Sequence, residues 1–152
     1  MPGAEYLIDS NILIRWVKPD DHHYPLVNAG IERLIQEGST LCYTSQNLAE
    51  FWNTCTRPRE RNGYGLTTEE VDLRAGIIEN ALYLLPDGPA IHHEWRTLIV
   101  AHQVSGAQVH DARLVAAMHI HGIQRILTFN GRDFARYPTV EAWNPEMLLK
   151  RQ

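Results

Sequence analysis

The sequence predicts an α/β domain built on a mostly parallel sheet of four to five strands. Three observations carry this. Short apolar runs at 6–8, 41–44, 82–85 and 125–128 have the composition of buried parallel strands. Segments with apolar residues at helical spacing lie between them, so strand and helix alternate. The chain has 152 residues, which suits one domain over 1–152.

The first strand ends at Asp9, Ser10 and Asn11, residues that leave a strand readily. Ile12, Leu13, Trp16 and Val17 predict a short helix, stopped by Pro19. Leu26, Ile31, Leu34 and Ile35 predict a second helix closed by Gly38. After the second strand, Ser45 is the expected cap of a helix whose inner face carries Leu48, Phe51, Trp52 and Cys55. Residues 57–65 read as a surface loop. Thr67 and Glu70 match a capping box, and the helix behind them turns Val71, Ile78 and Ala81 inward. Pro86 stops the third strand. Helices follow at about 91–102, with Trp95, Leu98 and Ile99 inward, and at about 110–121, closed by Gly122. After the fourth strand, 140–143 suits a short fifth and 145–149 a final helical turn.

Hydrophobic residues make up 44% and charged residues 21%, so disorder is excluded for most of the chain. No run approaches the roughly 18 apolar residues of a membrane span, and no signal peptide is expected. Cys42 and Cys55 lie among apolar residues and read as buried free thiols, which favours the cytoplasm. The net charge of −4 is not the footprint of a protein that holds nucleic acid by bulk electrostatics. It is compatible with carboxylates neutralised by a divalent metal. Lysine is confined to Lys18 and Lys150, and arginine supplies the rest of the 14 basic residues. Arginine forks phosphate in a bidentate manner.

Parallel sheets bind ligands beyond the carboxyl ends of their strands. Four acids fall there: Asp9 after the first strand, Glu50 in the helix after the second, Asp111 at a helix start and Asp133 after the fourth. Each has an ordinary reading as a cap, turn or surface acid. Together they would repel one another and raise their pKa values unless a cation intervened. The natural cation for an all-oxygen cluster is Mg²⁺ or Mn²⁺, which activates water and stabilises charge on a phosphodiester.

The stretches Tyr6-Leu-Ile-Asp-Ser-Asn-Ile-Leu13, Asn47-Leu-Ala-Glu-Phe51, Val109-His-Asp-Ala-Arg-Leu-Val-Ala-Ala117 and Ile126-Leu-Thr-Phe-Asn-Gly-Arg-Asp-Phe134 resemble the four motifs of the PIN-domain family. Within it, the VapC toxins of bacterial toxin–antitoxin pairs are the most similar group. The resemblance implies a three-layer sandwich and a Mg²⁺- or Mn²⁺-dependent endoribonuclease. It places metal-site acids on Asp9, Glu50 and Asp111. The fourth position falls first on Asp133, which brings the charge, with Asn130, nearer the strand end, as a polar partner. Asp9 and Asp111 would be the principal ligands, with Glu50 and Asp133 holding waters or a second ion. Ser10, Asn11 and Thr128 would position water or phosphate. The same resemblance implies an RNA substrate, a cognate antitoxin peptide and a homodimer.

Arg57, Arg59 and Arg61 suit either a solvated loop or an RNA-backbone contact with Tyr64 as a stacking ring. Arg113, Arg132 and Arg136 lie near the site segments. Eight histidines include the pairs His22-His23 and His92-His93, but no Cys pair at ligand spacing accompanies them, which disfavours zinc. A receiver domain needs an acid pair after the first strand and a lysine after the last central strand. A haloacid-dehalogenase phosphatase needs Asp-x-Asp where this chain has Asp9-Ser10-Asn11. The remaining alternatives are a PIN-fold RNA-processing nuclease outside a toxin pair and an inactive RNA- or partner-binding module.

Overall fold

The computed structural model describes residues 3–151; Met1, Pro2 and Gln152, at the ends of the expected 1–152 domain, lie outside the described residues. Five strands, β1 (Glu5–Ile8), β2 (Thr40–Tyr43), β3 (Tyr83–Leu84), β4 (Arg125–Leu127) and β5 (Glu141–Trp143), form one sheet in the order β3-β2-β1-β4-β5. Every pairing is parallel. Among the described residues seven α-helices flank it: α1 (Ser10–Trp16), α2 (Tyr24–Gln36), α3 (Ser45–Thr56), α4 (Thr68–Ala81), α5 (Pro89–Ala101), α6 (Gln108–His121) and α7 (Pro145–Lys150).

Alternation along the central strands builds the three layers. Tyr6, Ile8, Leu41, Tyr43 and Leu127 enter one core with α1, α2, α3, α4 and α7. Leu7, Cys42 and Ile126 point the other way, into a second core with α5 and α6. Both strand faces are therefore dry, which is why the strands read as unbroken apolar runs. Cys42 and Cys55 are buried free thiols, and burial pushes each up to about 11.

Local departures from the predicted elements have plain causes. Thr44, not Ser45, caps α3: its hydroxyl accepts from the Asn47 backbone N–H, and the Asn47 side chain accepts from the Thr44 backbone N–H. Ile35 is exposed because Val27, Ile31 and Leu34 already form the inward stripe of α2. On α4 the stripe is Val71, Ala75 and Ile78, and it passes to Leu82 rather than to the exposed Ala81. The third strand shrinks to Tyr83 and Leu84, exposed at the sheet edge, while the flanking Leu82 and Leu85 are buried. The Thr67–Glu70 capping box and the left-handed Gly122 cap of α6 match the prediction.

The 57–65 loop is folded tightly against the end of α3. Tyr64 N–H donates to Thr54 O (3.0 Å), Gly65 N–H to Arg57 O (2.9 Å) and Leu66 N–H to Cys55 O (2.9 Å). A Cβ at Gly63 would lie 2.0 Å from the Arg57 carbonyl oxygen, so only glycine permits this approach. Gly63→Ala should therefore cost roughly 1–3 kcal/mol in a urea melt and speed tryptic cutting at Arg59 and Arg61. An unchanged midpoint and cutting rate would show that the loop is not pinned.

Candidate active site

The chain runs outward from β1 in both directions: β2 and β3 lie on one side, β4 and β5 on the other. The switch point lies between the carboxyl ends of β1 and β4, where ligands gather in such sheets. Asp9 and Thr128 leave these two strands side by side.

Asp9 is 5% exposed and caps α1. Its Oδ1 accepts from Ser10 N–H (2.8 Å), and its Oδ2 accepts from the Thr128 hydroxyl (2.9 Å) and the Asn11 amide (3.2 Å). Burial pushes its carboxyl pKa up, and these donors pull part of that back. The Asn11 amide also donates to Thr128 Oγ1 (3.1 Å), and its Oδ1 accepts from Phe129 N–H (3.0 Å). Asn11 thus locks the end of β1 to the chain leaving β4.

Glu50 arrives from α3. Ser10 Oγ donates to its Oε1 at 3.1 Å, tying α3 to α1. Burial and then the neighbouring Asp9 raise its pKa. Asp111 arrives from the first turn of α6, across the sheet. That turn is anchored by Trp95 Nε1 donating to Val109 O and Gln46 Nε2 donating to His110 O, both at 2.8 Å. Burial, followed by the charges of Asp133, Asp9 and Glu50, pushes Asp111 up to about 7; Arg136 opposes this. The site thus draws one acid from the sheet and one from each outer layer.

Asp9, Ser10, Asn11, Glu50, Asp111 and Asn130 share a cleft of about 420 Å³. Asp133 sits half-buried in a 3₁₀ turn, is not among the residues lining the cleft, and acts on Asp111 through its charge. Asn130 therefore has the place on the cleft wall and Asp133 the electrostatic influence. Among the described residues, no three His, Cys, Asp or Glu side chains draw together as a ready-made ligand set. The hard oxygen donors fit Mg²⁺, which keeps several waters and needs only one or two carboxylates from the protein.

The predicted arginines divide. Arg113 is paired with Asp87 at 3.0 Å, away from the cleft. Arg57 and Arg59 point Nη2 and Nε at carbonyls of their own loop, Asn62 O (3.1 Å) and Tyr64 O (3.5 Å). Arg61 and Arg132 are exposed. The loop contributes to the cleft through Asn62 and Tyr64, which line it. Arg15 and Thr54 also line it and carry no motif signal; their helical spacing relative to Asn11 and Glu50 is the one available cue.

The PIN domain family model matches residues 6–140, so the chain belongs to the PIN-domain family. Solved structures share the fold. VapBC2 from Rickettsia felis, bound to a DNA fragment from its promoter, is 17% identical with a TM-score of 0.67, covering 92% of this chain and 98% of that one. DNA-bound VapBC from Salmonella typhimurium is 18% identical with a TM-score of 0.67, covering 93% and 98%. VapC20 from Mycobacterium tuberculosis, a sarcin-ricin-loop-cleaving toxin, is 18% identical with a TM-score of 0.61, covering 87% and 95%. No curated protein sequence matches the chain significantly.

Proposed function

We propose that this chain is a metal-dependent endoribonuclease of the VapC type, the toxin of a toxin–antitoxin pair. The observation that carries the reading is the meeting of Asp9, Glu50 and Asp111 on one cleft at the switch point, each with its pKa raised. Raised carboxyl pKa values mark a site that favours a cation, and the donor chemistry favours Mg²⁺ or Mn²⁺. Asp9 and Asp111 are the principal ligands in this reading, with Glu50 and Asn130 or Asp133 around them. When bound, the ion supplies an activated water and stabilises charge at the phosphodiester. The protein's own part is positional. Ser10 and Thr128 hold Asp9 in one orientation, and Ser10 also holds Glu50.

The VapBC neighbours support an antitoxin partner for this chain as well. An acidic cleft suits a peptide that presents an arginine to the carboxylates. A homodimer and a cytoplasmic location complete the reading; among the described residues no helix is long and apolar enough to cross a membrane.

The test is incubation of purified protein with a cellular RNA pool in Mg²⁺, in Mn²⁺ and in chelator. Discrete fragments in the metal arms alone are expected. Fragments that persist in chelator would overturn metal dependence. A pool left intact in all three arms would count against an endoribonuclease.

A further inference from the structure

Among the described residues that line the acid cleft, Arg15 alone is basic. Its guanidinium is held firmly yet left partly free. Nη1 donates to Asn11 O at 2.6 Å. The guanidinium carbon lies 5.2 Å from the centre of the Phe129 ring, which is braced in turn by His23 at 5.3 Å. Nε is buried without a hydrogen-bond partner, 3.9 Å from Asp21 Oδ1. Asp21 is already engaged by the Tyr64 hydroxyl (3.2 Å) and by His23 N–H (2.8 Å). The Arg15 side chain remains 29% exposed.

A clamp between α1 and the turn before α2 would explain the Asp21 side of this arrangement. It does not explain why the guanidinium stands on the wall of a cleft whose floor is anionic. RNA brings a charged phosphate for every nucleotide, and those flanking the scissile bond meet the repulsion of Asp9, Glu50 and Asp111. A fixed cation beside that floor offsets the repulsion, and the planar fork of arginine matches two phosphate oxygens. The cation–π contact with Phe129 and the bond to Asn11 O restrain the side chain in advance, so less rotamer freedom is lost on binding.

The geometry points to Arg15 as the residue that grips a phosphate of single-stranded RNA beside the bond the acids address, with Phe129 orienting it. This inference rests on the nuclease reading and deepens it: Arg15 is a substrate-binding residue and Phe129 a positioning residue.

The test is fluorescence anisotropy of a labelled oligouridine across a salt series in chelator, where binding is read without cleavage. Arg15→Gln should weaken binding about tenfold and lower the salt slope by about 0.7, the value for one lost phosphate contact on a single strand. Arg15→Lys should restore the slope and only part of the affinity. Phe129→Leu should weaken binding with the slope unchanged. All three should melt within a few degrees of wild type. A slope untouched by Arg15→Gln would overturn the inference and leave Arg15 as a structural clamp, and so would affinity lost only in step with melting temperature. Wild-type protein that fails to bind would overturn this inference and leave the nuclease reading to the cleavage test. Arg15-dependent binding in a protein that cleaves nothing would uphold the grip and overturn the nuclease.

Discussion

Asp9→Asn should abolish metal-dependent RNA cleavage, by about a thousandfold or more, while leaving the protein folded. The size follows from the several kcal/mol that metal-ion catalysis contributes, at 1.36 kcal/mol per factor of ten. The fold should survive because asparagine has the shape of aspartate, and Ser10 N–H can still donate to its oxygen. Its new amide would face the Thr128 hydroxyl, whose oxygen already accepts from the Asn11 amide and the Asn130 N–H, and the Asn11 amide, which cannot accept, so it gains no partner there. That loss is offset by removing a charge whose burial is the largest influence on its pKa. The paired readouts are initial cleavage rate and melting temperature. Cleavage within tenfold of wild type would remove Asp9 from the chemistry. A collapsed melt would transfer the loss to folding, and Ser10→Ala, which loosens both Asp9 and Glu50 without altering either charge, would then serve as the second variant.

What was legible in the sequence follows from where each signal lies in the chain. Strands buried on two faces announce themselves as apolar runs, so β1, β2 and β4 stand out, and with them the switch point that gathers Asp9 and Thr128. Three motifs carry the acids that line the cleft, Asp9, Glu50 and Asp111, each at a fixed offset from a strand or helix end. The Thr44 cap was hidden because its box partner is Asn47, where the familiar pattern has Glu or Gln. The edge strand β3 was overextended because Leu82 and Leu85 look like strand residues but earn their burial from helices beside the sheet. Residues 57–65 gave no hint of their task, since hydrogen bonds between loop and helix backbone leave no pattern in side-chain identity. Arg15 offered only its helical spacing from Asn11. Its contact with Phe129 is made by the fold rather than by any local spacing. The fourth acid position illustrates the same limit: charge favours Asp133 and cleft position favours Asn130, and the two properties separate only in three dimensions.

The apparent affinity for Mg²⁺ or Mn²⁺ should rise about tenfold per pH unit below about 7 and flatten above it, and Asp111→Asn should remove that slope near neutrality. Asp111 titrates near 7 because burial and three neighbouring carboxylates disfavour its charge. A ligand must be deprotonated to bind, so each bound cation displaces its proton below that pH. Asp9 and Glu50 are shifted in the same direction and steepen the lower part of the curve. The metal-free protein should show the opposite trend. An acid whose folded pKa lies above its unfolded value binds more protons folded than unfolded. Its stabilising contribution is complete below about 4 and is lost as pH rises to about 7. The metal-free melting temperature should therefore fall across that window, and Asp111→Asn should flatten part of the fall. Added Mg²⁺ should raise the melting temperature more at pH 8 than at pH 6, because binding to the folded state alone stabilises it and the competing proton is absent at the higher pH. Calorimetric metal titration at three pH values, with melts of wild type and Asp111→Asn beside it, reads both trends. Metal affinity independent of pH between 5 and 8 would mean that Asp111 is not among the ligands, and the assignment would pass to Asp9 and Glu50 alone.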